Sequence, residues 1–242
     1  MQKFKEIIYS NYIRNHTSFL YKEDSISLLR RQLPVWRYYY GKLLPRHKQA
    51  TILDIGCGKG SFVWFLQQEG FTDASGIDVS EEQIDYGQTL GIRNIQCADL
   101  NAYLVSRKEA YDCIIARDVM EHFSRQELFD ILTLVRSALK PGGSFIMQSP
   151  NGEGIFFTAI LYGDLTHEIA FTRSSLHQLF RNTGFDKVQC FPVGPAPTGL
   201  TSAIRWLLWQ LIVLKMRFYK IVETGDSSGI FTRNLIAKAI RD

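Results

Sequence analysis

From Ala50 onward the chain alternates between short apolar runs and stretches whose apolar residues recur every three or four positions. The first pattern reads as buried strands and the second as amphipathic helices. Thr51–Ile55 is the first strand and leads into a glycine-rich turn. Ser61–Gln68 is a helix closed by Gly70, and Ala74–Val79 is the second strand. Ser80 then caps a helix through Leu90, with Ser80-Glu81-Glu82-Gln83 as a capping box. Asn94–Ala98 and Tyr111–Ala116 follow as strands three and four. Ser124 caps a helix to Leu139, with Glu127 completing a second box. Lys140-Pro141-Gly142-Gly143 is a turn before the fifth strand, Ser144–Gln148. Ser174–Asn182 is a helix, and Lys187–Val193 and Asn234–Ile240 are the last strands. Strands and helices alternating in this way predict an α/β fold with a parallel sheet, right-handed crossovers and helices on both faces. Ligands of such sheets bind beyond the carboxyl ends of the strands, where the strand order reverses.

Two segments fall outside this alternation. Residues 1–49 read as a helical extension. Asp24 or Ser25 is positioned to cap a helix with Ile26, Leu29, Leu33 and Trp36 on one face, and Pro34 marks a kink or a new start. Residues 50–242 form the main domain, with 195–230 as a helical insertion before the last strand. Within it, residues 203–222 place Ile204, Leu207, Leu208, Leu211 and Ile212 at helical spacing among Arg205, Lys215, Arg217, Lys220, Trp206 and Trp209. A basic helix of this kind suits packing on the domain, a lid, a homodimer face or peripheral contact with a membrane.

Composition narrows the class. The chain has 242 residues, 45% hydrophobic and 21% charged, enough for a sizeable core without disulfide or metal staples. Four cysteines occur without a CxxC pair, which argues against a zinc knuckle. A net charge of +4 is too small a surplus to point to nucleic acid as the main partner. Residues 1–12 lack the apolar core and cleavage site of a secretory signal, and no run reaches the roughly 20 apolar residues of a membrane span. The expected location is cytoplasmic, with membrane-peripheral association open through 203–222.

The chemistry gathers at the predicted strand ends. Leu53-Asp54-Ile55-Gly56-Cys57-Gly58-Lys59-Gly60 joins the first strand to a helix N-terminus. Its alternating glycines permit a sharp turn and close ligand approach. Its spacing is neither the GxGxxG of dinucleotide loops nor a Walker loop. Asp54 would repel a pyrophosphate and attract an ammonium group. Asp78 ends the second strand, at the distance where a carboxylate meets ribose hydroxyls. Asp99 ends the third, where it can accept a hydrogen bond from an adenine amine. Three acids beside such a loop suit a ligand with a cationic amino-acid end, a ribose and an adenine.

These residues resemble the class I S-adenosylmethionine-dependent methyltransferases. Ala116-Arg117-Asp118-Val119-Met120-Glu121-His122 is similar to the family's segment after strand four, and Leu139–Gly143 to its turn before strand five. The resemblance spans residues 50–190. It implies a Rossmann-like, seven-stranded, mostly parallel sheet ending in an antiparallel pair. It also implies S-adenosylmethionine as cofactor and S-adenosylhomocysteine as product. The cofactor-binding residues it implies are Asp54, Gly56, Cys57, Gly58 and Gly60, then Asp78 with Val79, Asp99 with Leu100, and Arg117. Arg117 departs from the family pattern and also suits an anionic acceptor or a loop-bracing role.

For a hydroxyl acceptor a base must remove the proton. His167 is the first candidate and His122 the second, with Asp164, Thr166 and Asn151 as acceptor-binding residues. The order Glu121-His122, Ser149-Pro150-Asn151, Thr166-His167 is similar to ubiquinone-biosynthesis O-methyltransferases and to bacterial sugar and cell-surface polysaccharide methyltransferases. That likeness implies O-methylation of a sugar or glycan, or alternatively of a quinone-type phenol or lipid-linked molecule. In the ubiquinone group a divalent ion can be held by positions matching Asp118, Glu121 and His122. The trio is thin for a hard cation, and no metal is expected. A non-catalytic cofactor-binding scaffold and an NAD(P)-dependent oxidoreductase are the remaining alternatives.

Overall fold

The computed structural model describes residues 25–242 together with Ile8. The expected helix over the first two dozen residues, and the reading of residues 1–12 as no signal, therefore lie outside the described residues apart from Ile8, which is helical. In chain order the elements are α1 (Ile26–Tyr40), β1 (Ile52–Ile55), α2 (Ser61–Gln68), β2 (Ala74–Asp78), α3 (Glu81–Thr89), β3 (Ile95–Cys97), α4 (Leu100–Val105) and β4 (Tyr111–Arg117). A 3-10 turn (Met120–His122) precedes α5 (Arg125–Ala138). Then come β5 (Leu139–Pro150), α6 (Phe157–Leu161), α7 (Arg173–Asn182), β6 (Phe185–Val193), α8 (Leu200–Thr224) and β7 (Asn234–Arg241).

The seven strands form one sheet in the order β3-β2-β1-β4-β5-β7-β6. The first five are parallel, while β7 runs antiparallel to both β5 and β6. This is the Rossmann-like, mostly parallel sheet that the resemblance implied. The order reverses between β1 and β4, which places the ligand crevice there.

Strand periodicity explains the two-sided core. Leu53, Ile55, Ile114 and Phe145 face one layer with Leu128, Ile131 and Leu132 of α5 and Leu176 and Phe180 of α7. Ile52, Cys113, Ile115 and Ile146 face the other, with Trp36 and Tyr40 of α1, Phe62 and Phe65 of α2, and Ile84 of α3. The extension is thus part of the core. Trp36 stacks edge-on against Phe62 (centroids 5.8 Å apart) and Tyr40 lies 4.7 Å from the same ring. Ser25 caps α1, and Pro34 sits inside one continuous helix rather than starting a new one.

The expected turn at 140–143 is taken into β5, which begins at Leu139 opposite Tyr111. The capping box of α5 forms with Ser124 and Glu127. That of α3 is one-sided: Ser80 accepts from the Gln83 N–H. The Gln83 side chain sits instead over Gly58, where a Cβ would come 2.9 Å from its Oε1.

The insertion is a single 25-residue helix, α8, begun by Gly199 donating to Ser202 Oγ (2.9 Å) and closed by Gly225 in the left-handed region. None of its residues is buried. Trp206, Trp209, Val213, Met216 and Lys220 are half-buried on the inner face, while Leu207, Leu211, Leu214, Phe218 and Val222 share the outer one. Each of those five is more than half exposed. Among the described residues no helix is long and apolar enough to cross a membrane.

Candidate active site

The loop after β1 is built on backbone that L side chains rarely adopt. Gly56, Gly58 and Gly60 have φ of +66°, +56° and +78°. A Cβ at Gly56 would stand 2.4 Å from Val119 Cγ2. Gly60 caps α2 and backs onto Ile92 and Ile95, so its glycine serves packing. The Cys57 side chain lies over Gly76 of β2.

Asp78 ties this loop to the next one. Its Oδ2 accepts from the Gly58 N–H (2.7 Å) and its Oδ1 from the Ser80 N–H (2.8 Å). Burial raises the Asp78 pKa, and these bonds pull it back without cancelling the rise. Asp99 caps α4 through Oδ1, which accepts from the Ala102 N–H at 2.9 Å.

Between these loops lies a cavity of about 310 Å³. Gly56, Gly58, Asp78, Val79, Asp99 and Leu100 line it from the strand ends, and Asp118, Val119 and His122 close it from the segment after β4. Among the described residues no lysine or arginine lines it, so these residues offer a pyrophosphate no countercharge. The acids suit a ribose, an adenine and a cationic sulfur.

Asp54, Cys57, Gly60 and Arg117 stand behind this wall rather than in it. Asp54 is only 2% exposed, and its Oδ1 has no hydrogen-bond partner. Burial pushes its carboxyl up to about 7, opposed by Arg117 and reinforced by Asp78. Arg117, expected among the cofactor-binding residues, does not line the cavity. Its guanidinium is boxed by aromatic rings, 4.5 Å from the Phe62 centroid and 5.6 Å from Trp36, and its Nε donates to Tyr40 Oη at 3.3 Å. Tyr40 in turn donates to Gln148 Oε1 (2.8 Å), and Gln148 Nε2 donates to Asp118 Oδ2 (2.8 Å). Asp118, on the cavity wall, is held at φ +56°. This chain from α1 to the cavity joins residues far apart in sequence, and no local pattern announces it.

The acceptor end has a different logic from the one expected. His122 lines the cavity, and His167 stands behind it with ring centroids 4.7 Å apart. Thr166 Oγ1 donates to Asp164 Oδ1 (2.6 Å), so it must accept from His122 Nδ1, 2.8 Å away. That fixes the His122 tautomer, with the lone pair on Nε2. Burial opposes ionisation of Asp164, but two hydrogen bonds from Thr166 and the fields of both histidines outweigh it and lower its pKa. Asp164 and Thr166 therefore orient His122 instead of lining the cavity. Asn151, expected to bind the acceptor, does not line the cavity either. It is fully buried, its amide donates to Ile230 O (2.5 Å) and Thr232 O (2.8 Å), and its Oδ1 accepts from Glu153 N–H (3.1 Å). It fastens the end of β5 to the segment entering β7.

Glu121 is the residue that sequence reasoning undervalued. It is fully buried, and neither carboxylate oxygen has a hydrogen-bond partner. Burial drives its pKa well above the usual range, and Asp118 and Asp164 add to this, while the nearby Ser149 hydroxyl favours the charged form. The adjacent Glu-His in the sequence was the signal.

A family model described as a methyltransferase domain matches residues 29–190, well over half of the chain. The protein belongs to this family. It is a class I S-adenosylmethionine-dependent methyltransferase, and its cofactor is S-adenosylmethionine.

Among curated relatives, this methyltransferase is similar to the tRNA U34 carboxymethyltransferase of Pseudoalteromonas translucida, 29% identical over 157 residues, covering 55% of this chain and 48% of that one. The protein of the same name from Pasteurella multocida is 26% identical, over 71% of this chain and 58% of its own. The chain thus spans about half the length of the curated relatives it matches. Among solved structures, it is similar to a SAM-dependent methyltransferase from Archaeoglobus fulgidus, with a TM-score of 0.65 and 21% identity, over 93% of this chain and 98% of that one. It also matches phosphoethanolamine N-methyltransferase 2 of Haemonchus contortus, solved with S-adenosylhomocysteine, with a TM-score of 0.61 and 16% identity, over 99% of this chain and 58% of that one. These structural likenesses support the fold. The relatives named here do not carry the narrower ubiquinone or polysaccharide likeness.

Proposed function

We propose that this methyltransferase acts on a hydroxyl oxygen of a small acceptor, and that the acceptor hydroxyl sits against His122. The observation that supports this is His122 itself: it is on the cavity wall, and Thr166 and Asp164 hold its tautomer so that Nε2 carries the lone pair. This reverses the expected order, with His122 ahead of His167. In the ion-free protein His122 Nε2 takes the hydroxyl proton and passes it to solvent. Bound S-adenosylmethionine supplies an electrophilic methyl group whose sulfonium leaves as a neutral thioether. Asp78 and Asp99 hold the ribose and adenine. Asp54, one layer behind the wall with one oxygen unpartnered among the described residues, acts on the amino-acid end through the loop rather than by contact, and that positive end favours its ionised form.

A sugar or glycan hydroxyl is the first acceptor class, and a quinone-type phenol or lipid-linked molecule the second. The tRNA relatives bring a nucleic acid into the panel, against the expectation from net charge. The test supplies methyl-labelled cofactor with sugars, phenols and tRNA. Label should appear in an ether and vanish in His122→Asn. Label on nitrogen or carbon, or an undiminished His122→Asn rate, overturns the reading. S-adenosylhomocysteine binding without turnover would favour the scaffold alternative, and calorimetric binding of NADH instead would favour the oxidoreductase. For α8 we propose contact with an anionic membrane surface. Its outer apolar stripe, with Arg205, Lys215 and Arg217 against Glu223 (Lys220 faces inward and pairs with Asp226), supports this over a homodimer.

A further inference from the structure

Three groups with metal-ligating atoms meet behind the acceptor end of the cavity. The ligand atoms of Glu121, His122 and His167 all lie within 4.8 Å of one another. They come from two separate segments, the 3-10 turn after β4 and the loop between α6 and α7. The Glu168 N–H, donating to Glu121 O at 2.7 Å, pins the two together.

The protonation pattern is the one that imidazole ligands require. His167 Nδ1 lies 3.0 Å from Ile160 O, and a carbonyl can only accept, so Nδ1 carries the proton. The same holds for His122 through Thr166. Both rings therefore present the lone pair on Nε2, with the other nitrogen fixed by an oxygen acceptor. This is how metal-ligating histidines are usually oriented. The third member, Glu121, is a fully buried carboxyl group whose oxygens make no geometric hydrogen bond among the described residues, with only the Ser149 hydroxyl nearby, an arrangement a cation would satisfy.

We propose that Glu121, His122 and His167 bind one divalent first-row transition-metal ion, with its remaining coordination positions open toward the cavity. Such ions hold their ligands at roughly 2.0–2.2 Å, so the three side chains would close on the ion as it binds. Two imidazoles and a single carboxylate select borderline ions of the zinc, cobalt or iron type over magnesium or calcium, which favour oxygen ligands. This replaces the thin trio with Asp118, and the expectation of no metal with it. The site deepens the reading of function and rests on it for one point, that the acceptor is a hydroxyl. In the loaded protein the acceptor oxygen becomes a further ligand and its proton is released to solvent. His122 then acts as a ligand rather than as the base.

The test uses chelator-stripped full-length protein titrated with cobalt(II) alone, followed by calorimetry and visible absorption, with magnesium and calcium as parallel arms. One equivalent of cobalt(II) should bind with d–d bands, and magnesium and calcium should give no comparable heat. His167→Gln and Glu121→Gln should each abolish the bands while S-adenosylhomocysteine still binds, which shows that the variants are folded. His177→Gln, on α7, should leave them intact. Absence of binding to the parent chain, or binding unchanged in both site variants, overturns the site. Ether formation without metal binding would remove the site and leave the functional reading standing. Metal binding without methylation of any hydroxyl would do the reverse.

Discussion

Asp54→Asn isolates the most exposed consequence of the buried acid beside the glycine loop. The Asp54 carboxyl is held at about 7 in the fold against an ordinary value of 3.8, chiefly by burial and despite Arg117. The folded state thus binds this proton more tightly than the unfolded chain. The contribution to stability is full below about pH 4. It shrinks as the unfolded chain ionises first, and is lost as the pH rises through about 7. A shift of about three units corresponds to about 4 kcal/mol, and the group is too buried for solvent screening to reduce it much. Urea unfolding of both chains from about pH 4 to about pH 8.5 gives the difference curve, in which the raised Glu121 and the lowered Asp112 and Asp164 are common to both and cancel, while the field between Asp54 and Asp78 is lost with the substitution and belongs to the difference. Parent-minus-variant stability should fall by about 4 kcal/mol between the two ordinary limits and flatten above. A level difference would refute the reasoning. A difference that rises with pH would mean that the field of Arg117 dominates and Asp54 is ionised throughout.

Trp36→Ala, which empties a site between Phe62 and Phe65, should lower the unfolding free energy by about 3–5 kcal/mol in the same assay. Asp78→Asn removes the carboxylate that ties Gly58 to Ser80 and faces the cavity. S-adenosylhomocysteine affinity measured by calorimetry should drop by about 1–3 kcal/mol, and an unchanged value would count against the cofactor assignment. Leu207→Asp with Leu211→Asp should leave stability within about 0.5 kcal/mol, since both side chains face outward. The same pair should abolish co-sedimentation with anionic vesicles at low salt. Retention of vesicle binding, or no binding by the parent chain, removes the membrane proposal.

What could be read from the sequence was local. The glycine spacing, the acids at three strand ends and the helix Ser61–Gln68 depend on neighbours a few residues apart, and each stands where the pattern put it. The short α4 escaped because Asp99 was read only as a ligand group, whereas its Oδ1 also caps a six-residue helix. Pro34 was overweighted: the burial of Leu29 before it and of Trp36 and Tyr40 after it keeps α1 a single helix through it. His167 was placed ahead of His122 because sequence order does not say which ring reaches the cavity wall. The surroundings of Asn151, Arg117 and Glu121 were not legible, for a shared reason. Their partners, or the lack of them, are set by β7, by α1 and by the depth of the 3-10 turn, none of which is near them in the chain.

The aromatic wedge of α1 has a practical bearing on how this enzyme can be trimmed. A catalytic fragment started at residue 50, where the strand-helix alternation begins, would strip Trp36 and Tyr40 from Phe62 and leave Arg117 without its Oη acceptor. Gln148 would then lose one end of its bridge to Asp118. Such a fragment would keep every signature residue of the loop and still present a loosened ligand pocket, so deletion boundaries for this protein belong ahead of Ser25.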